Sequence, residues 1–284
     1  MINSAPENQS SGRKIFYGLF IFPLLIAVGM AVLLCTVVLL TREVETPESL
    51  ITAIKTGAPS KRWQKAYELS NELNQGRGLI RESGVMKEVI HILTGRQEYD
   101  VQTRSYMAMA LSRFEDPEVV PALEKALQEE NEPEVELYLL WALGTKGSKS
   151  SAEVVKPFLK HEREDLRKVA VYVLGVLGSQ EDAALIQPLL DDRSNDVRWN
   201  AALSLARLGN DSGYPALLQM VDRQALGAVG GLGEARIEEI MVNAVKGLNY
   251  LKKNESLSIL KTLAAQDSSL KVRQEAIDAL KQYN

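Results

Sequence analysis

The chain has 284 residues, 45% of them hydrophobic and 25% charged, with a formal net charge of −4. That balance is the one a globular protein shows, and an acidic excess without a basic stripe excludes DNA or RNA as an expected partner. A single cysteine excludes a disulfide framework, which leaves the compartment open.

Residues 1–14 are small and polar and read as a disordered tail. Residues 15–40, IFYGLFIFPLLIAVGMAVLLCTVVLL, then run for 26 positions without a charge. At ~1.5 Å per residue the run extends about 39 Å, more than a hydrocarbon core of ~30 Å, so it reads as a transmembrane helix. It is too long for the apolar region of a cleaved signal peptide, and no small-x-small site follows Leu40. Cys35 lies inside the run, behind Val32-Leu33-Leu34 rather than behind the small residue of a lipidation site. Pro23 is expected to kink the span, and Ala27 and Ala31 read first as lipid-facing alanines. Arg13 and Lys14 before the span, against Arg42 and the more distant Lys55 after it, favour a cytoplasmic N-terminus with the repeats outside the cytoplasm. Lys61, Arg62 and Lys65 pull the other way from outside the usual counting window.

Segment 41–59 holds a short juxtamembrane helix from about Pro47 to Lys55, ended by Gly57 and Pro59. From residue 60 to the end at 284 one pattern recurs, clearest in NDVRWNAALSLARLGN, Asn195 to Asn210. Val197, Ala201, Leu205 and Leu208 share one face of a helix, with Asn195 and Asp196 at its start and Gly209 and Asn210 as its stop. Thirty-one residues earlier EDLRKVAVYVLGVLGS matches through Arg167, Ala170, Leu174, Leu177 and Gly178. The arginine position of the motif falls at 62, 104, 136, 167, 198, 241 and 273, with Glu136 and Met241 replacing arginine in two copies. Intervals of 31 to 43 residues are those of a two-helix repeat that stacks into a solenoid. Each motif helix precedes a second apolar helix, and four of these carry Pro-x-Leu, at Pro121, Pro157, Pro188 and Pro215. A proline there fits an early helical turn or disrupts the helix further in.

The pattern D-x-x-V-R-x-x-A-x-x-x-L-x-x-L-G followed by a Pro-x-Leu helix resembles HEAT-like repeats, including those of the phycobilin-lyase type. The resemblance covers roughly Ser60 to the end and weakens in the copies lacking arginine or glycine. It implies an all-α fold: a right-handed α-solenoid of about six to seven two-helix repeats, preceded by the transmembrane helix. It further implies that the second helices line a concave face that holds partners. Function varies too widely among such solenoids to follow from the fold.

Two repeats are lengthened, one by NQGRGLIRESGV after the first motif helix and one by the glycine-rich stretch Leu226 to Arg236. The second lacks the Gly-Lys-Ser/Thr of a phosphate loop and reads as a mobile loop projecting from one edge. His91 and His161 lie in different repeats with no His or Cys spaced to share a metal, and no nucleophile elbow occurs, so neither a metal site nor a catalytic residue is assigned. Arg104, Arg167, Arg198 and Arg273 read as a structural ladder, each pairing an acid near a neighbouring helix start such as Asp165 or Asp196. Glu129, Glu130, Glu132, Glu134 and Glu136 read as a solvated edge, and Trp63, Trp141 and Trp199 as core packing.

The expected function is a single-pass membrane scaffold, not an enzyme and without a cofactor, that binds other proteins. Its candidate contacts are the second-helix residues Glu124, Lys125, Lys156 and Gln187. The alternatives are an accessory subunit that stabilises a membrane complex through residues 15–40, or a chromophore-lyase-like enzyme suggested by the resemblance alone. No nucleic acid and no small-molecule substrate is expected.

Overall fold

A computed structural model describes residues 17–41, 46–75 and 83–283. The tail 1–14 and the centre of the first insertion, residues 76–82, lie outside them. The chain divides into two compact units, Met1–Thr46 and Pro47–Asn284.

In the first unit a π-helical turn, Tyr17–Ile21, leads into helix α1, Phe22–Thr41. The disruption expected of Pro23 is therefore a widened turn just before it. Proline has no N–H with which to close the α-helical bond one turn back. Gly18–Val37 is long and apolar enough to cross a membrane, with a mean hydropathy of 2.7 and none of it buried in the protein.

The second unit is all-helical among its described residues and begins with α2, Pro47–Thr56, whose Leu50, Ile51 and Ile54 enter the core. Six pairs follow. They are α3 (Pro59–Gln75) with α4 (Ser83–Thr94), α5 (Val101–Leu111) with α6 (Val119–Glu129), and α7 (Pro133–Lys146) with α8 (Ala152–Val155). Next come α9 (Glu164–Leu177) with α10 (Ala183–Ile186), and α11 (Asn195–Arg207) with α12 (Tyr214–Met220) and a short α13 (Arg223–Gly227). The sixth pair is α14 (Glu234–Leu251) with α15 (Ser256–Gln266), and α16 (Leu270–Lys281) closes the solenoid alone. The motif helices are thus the first members, α3, α5, α7, α9, α11, α14 and α16.

Consecutive first helices pack directly on one another, whereas the second members meet one another only sparingly. Small residues permit this approach. A Cβ on Gly175 of α9 would lie 2.4 Å from Ser204 Oγ and 2.9 Å from Ser204 Cα of α11. Ser204 Oγ donates across the same contact to the carbonyl of Val171 at 2.9 Å. Helix α11 divides the core as its periodicity foretells. Val197, Ala201 and Leu205 face the apolar cluster that reaches back to Leu50, while Ala202 and Ala206 face the one that continues to Ala279. Gly209 ends this helix in the left-handed region at φ +77°, and the Asn210 N–H returns to the carbonyl of Leu205 at 2.9 Å.

The prolines act in both ways open to them. Pro121 and Pro215 sit in the first turns of α6 and α12. Pro157 and Pro188 fall midway, and there the second element tightens from α to 3₁₀ geometry over Lys156–Lys160 and Gln187–Asp191. The glycine-rich stretch departs from its expectation as a projecting loop. Leu226 is buried in α13, Glu234 already opens α14, and only 228–233 lie outside helices. Asp222 caps α13 by accepting from the N–H groups of Gln224 and Ala225, and Arg223 joins Glu234 to Asp267, 2.7 Å away on the next repeat.

Candidate functional site: the exposed face of the first helices

The arginine ladder lies inside the solenoid. Side chains on a helix lean toward its N-terminus, so an arginine in the first turn reaches the loop just traversed. Arg167 Nη1 donates to the carbonyls of His161 and Glu162 at 2.8 Å, Arg198 to that of Asp192 at 2.6 Å, and Arg273 to that of Asp267. Two rungs also meet a carboxylate of the following repeat. Arg167 forms a two-pronged pair with Asp192 at 2.8 and 2.9 Å, and Arg104 meets Glu130 at 2.5 Å with both side chains under 5% exposed. The guanidinium of Arg167 holds the Asp192 carboxyl below the usual carboxylate range. The expected partners are corrected: Asp165 pairs with Arg163, and Asp196 with Arg236 and Lys168.

Where Glu136 replaces the arginine, the opposing position is His161. Its Nε2 lies 3.9 Å from the carboxylate, while its Nδ1 accepts from the N–H of Arg163 at 3.1 Å. Burial pushes the Glu136 carboxyl above its usual range, and His161 acts against that rise. Glu130 and Glu136 are both buried, so the acidic run is not a solvated edge throughout. Its residues alternate between solvent and the joint of two repeats because a loop and a helix start share them.

Of the second-helix candidates, two are occupied within the solenoid. Glu124 accepts from Ser151 Oγ at 2.6 Å, and Lys156 pairs with Asp182 at 2.9 Å and Glu153 at 2.5 Å, each tying one second element to the next or to itself. Lys125, near Glu129 at 4.0 Å, and Gln187 are exposed. The four are spread over three repeats, and two of them serve as joints.

The residues two, five and nine places after each ladder position lie along one helical stripe of the first helices. That stripe is aromatic through the middle of the solenoid. The Tyr67 and Tyr106 rings meet edge-on at 5.3 Å and Tyr106 and Tyr138 at 6.0 Å, while Trp141 and Tyr172 meet at a tilt at 5.1 Å. Arg207 then places its guanidinium between Tyr172 and Tyr250, 5.5 and 5.6 Å from the two ring centres. Trp141 is 39% exposed, which corrects its reading as core packing; Trp63 is half-buried, and Trp199, also half-buried, packs against the apolar cluster that continues to Ala279. Periodicity locates a helix face but does not tell a core stripe from an apolar surface stripe beside it.

Between α7, α9, α11 and α14 the stripe deepens into a cavity of about 200 Å³. Trp141, Tyr172 and Trp199 form its walls, and Val169, Leu203 and Ile240 its apolar lining. Asn200 and Asn243, both two places after a ladder position, line the same opening, with Asn200 Nδ2 donating to the carbonyl of Asp196 at 2.7 Å. The charges at its edge are neutralised among themselves: Arg236 meets Asp196 at 2.9 Å and Glu239 at 2.8 Å, and Lys168 meets Asp196 at 3.6 Å. Such a site suits an apolar or aromatic group carried on a polar backbone. Among the described residues no group of three His, Cys, Asp or Glu side chains is placed to hold a metal.

A family model described as HEAT repeats matches residues 86–175 and 152–229. In three dimensions the chain is similar to the complex of CpcE and CpcF of phycocyanin lyase from Nostoc sp. PCC7120, with a TM-score of 0.53 and 18% identity over 86% of this chain and 97% of that one. It is also similar to the E. coli protein YibA, with a TM-score of 0.50 and 14% identity over 84% of this chain and 93% of that one. An archaeal HEAT-like repeats protein from Thermococcus onnurineus NA1 aligns with 14% identity over 85% of this chain and 98% of that one, at a TM-score of 0.42. At these identities the likeness is one of fold. No curated protein sequence matches the chain.

Proposed function

This chain belongs to the HEAT-repeat family, and on that premise we propose that it is a membrane-anchored scaffold that holds a partner protein along the exposed face of its first helices. The observation that carries the reading is the aromatic stripe from Tyr67 to Tyr250, with its cavity at Trp141, Tyr172 and Trp199. Large aromatic side chains left in contact with water cost free energy that burial under a partner recovers, at about 25 cal/mol per Å². Tryptophan, tyrosine and arginine are also the residues that dominate binding energy at protein interfaces. The contact face therefore moves from the second helices to the first. The second-helix residues Glu124 and Lys156 act as joints, and Lys125 and Gln187 lie outside the contact face.

Residues 15–40 supply the anchor, with the N-terminus in the cytoplasm and the repeats outside it. Tethering raises the local concentration of the repeats at the membrane without a catalytic group, in keeping with a protein that is not an enzyme. In the accessory-subunit reading other helices, rather than lipid alone, cover this span. Exchange of residues 15–40 for an unrelated span then abolishes assembly, whereas a simple tether tolerates it.

The scaffold reading is tested by placing a photocrosslinking amino acid at Trp199 or at Gln187 of the full chain in native membranes. A discrete protein adduct from position 199 and none from 187 is the expected result. Equal adducts from both positions overturn the assignment of the face.

A further inference from the structure

Arg207 stands apart from the other half-buried arginines of the solenoid. Arg62, Arg113, Arg198, Arg223, Arg236 and Arg273 each donate to at least one oxygen. Among the described residues no oxygen accepts from Arg207, and its Nη1 is enclosed without a hydrogen-bond partner. Its guanidinium is held between the rings of Tyr172 and Tyr250. Two flanking rings fix the plane of a guanidinium and leave its edge as the direction in which N–H groups donate. Of its nitrogens Nη1 alone is enclosed, so an incoming acceptor meets the guanidinium along its Nε–Nη2 edge.

Tyr172 also forms a wall of the cavity beside Trp141, so the guanidinium and the apolar opening adjoin across one ring. The lysine and arginine at the cavity edge are already matched by Asp196 and Glu239, whereas Arg207 meets no carboxylate among the described residues. The stripe continues past Arg207 to Tyr250 and back to Tyr67, so a bound segment runs on in both directions rather than ending here.

We propose that Arg207 is the anion receptor of this face: it takes the side-chain carboxylate of an Asp or Glu in an extended partner segment, whose neighbouring apolar residue fills the Trp141–Tyr172–Trp199 cavity. The proposal rests on the first-helix face being the binding face and adds the chemistry of the partner. A planar fork meeting a carboxylate forms two parallel charge-assisted bonds, stronger than those to a neutral amide and selective for geometry. Asn200 and Asn243 are placed to meet the polar backbone of the same segment.

The test is selection of a displayed random twelve-residue peptide library, held internally so that no free terminus is offered, on the detergent-solubilised full chain. Selections on R207M, R207K and the double variant W141A/W199A run in parallel, each checked for wild-type helicity by circular dichroism. The expected result is a consensus pairing an aromatic or large aliphatic residue with a nearby Asp or Glu. R207M then keeps the apolar preference and loses the acidic one. Affinity for the selected peptide falls about thirty-fold in R207M, and less than three-fold for its Asn or Gln counterpart. R207K, which keeps charge without the fork, falls between the two.

A consensus without acid, or an unchanged acidic preference in R207M, overturns the receptor and leaves the face intact. Peptides that bind wild type and W141A/W199A equally overturn the face and the receptor together, as does a selection that recovers no peptide. A consensus that survives only with a free C-terminal carboxylate assigns the anion to a chain end and overturns the side-chain assignment.

Discussion

The two sides of the solenoid use the same kinds of residue to opposite ends. Along the second elements the polar side chains that look available are joints: Glu124 receives Ser151, Lys156 meets Asp182, and Asp182 also accepts from the Ser179 N–H at 2.8 Å. Along the first helices the aromatic side chains that look like core remain at the surface, with Tyr67 47%, Trp141 39% and Tyr250 46% exposed. The difference follows from spacing. First helices touch, so their cohesion is apolar and their outward stripe is free. Second elements meet sparingly, and two of them are interrupted by proline at Pro157 and Pro188, so polar bridges join them. A charged residue on such a surface is evidence of a joint until its partners are known, and an exposed aromatic stripe is evidence of a contact face.

The largest effect expected from breaking this scheme is at the ladder. Arg104→Ala leaves Glu130 buried beside no cation and costs about 3–5 kcal/mol in denaturant unfolding, whereas Lys125→Ala changes stability by less than about 0.5 kcal/mol. A loss below 1 kcal/mol for Arg104→Ala removes the ladder from the stabilising contacts. Next is the close approach of the first helices. Gly175→Ala forces α9 and α11 apart at Ser204 and costs about 1–3 kcal/mol, against the usual gain of alanine over glycine within a helix. Unchanged or raised stability would show that the two helices slide without penalty.

The smallest effects are in pH dependence, and two rungs have opposite signs. The Asp192 carboxyl is lowered by Arg167, so its contribution is present above the unfolded-state value near 3.9 and is lost as pH falls through the folded value. The Glu136 carboxyl is raised by burial, so it destabilises the fold at neutral pH, and that penalty shrinks as pH falls through the folded value toward the unfolded one. Asp192→Asn therefore lowers stability at pH 7 and Glu136→Gln raises it, with both differences fading in acid. Stability curves between pH 3 and 7 check the signs. A destabilised Glu136→Gln protein at pH 7 would mean that the pair with His161 outweighs burial.

Much of the fold is legible in the sequence. The recurrence at 62, 104, 136, 167, 198, 241 and 273 locates every first helix among the described residues. The ladder arginines were legible as structural, but their partners were not. Asp192 and Glu130 lie 25 and 26 residues further on, and only stacking brings the next loop to them. The Glu136–His161 exchange carried a sequence signal that was available: both depart from the repeat pattern one repeat apart, a paired reversal of charge. The binding face was not legible, because residues at helical spacing around Tyr172 and Trp199 satisfy a core stripe as well as a surface one.

What the sequence by itself determined is the repeat, its period, the helical stops such as Gly209 and a 26-residue uncharged stretch long enough to span a bilayer. These follow from local rules of hydrophobic period, backbone conformation and length, which act over a few residues. Tertiary structure alone decided which polar groups became joints, which aromatic rings stayed outside, and that Arg207 would be held between Tyr172 and Tyr250 without an acceptor. Those outcomes depend on which repeat lies beside which and at what distance, and burial and pairing are properties of neighbours rather than of a residue or its place in the motif.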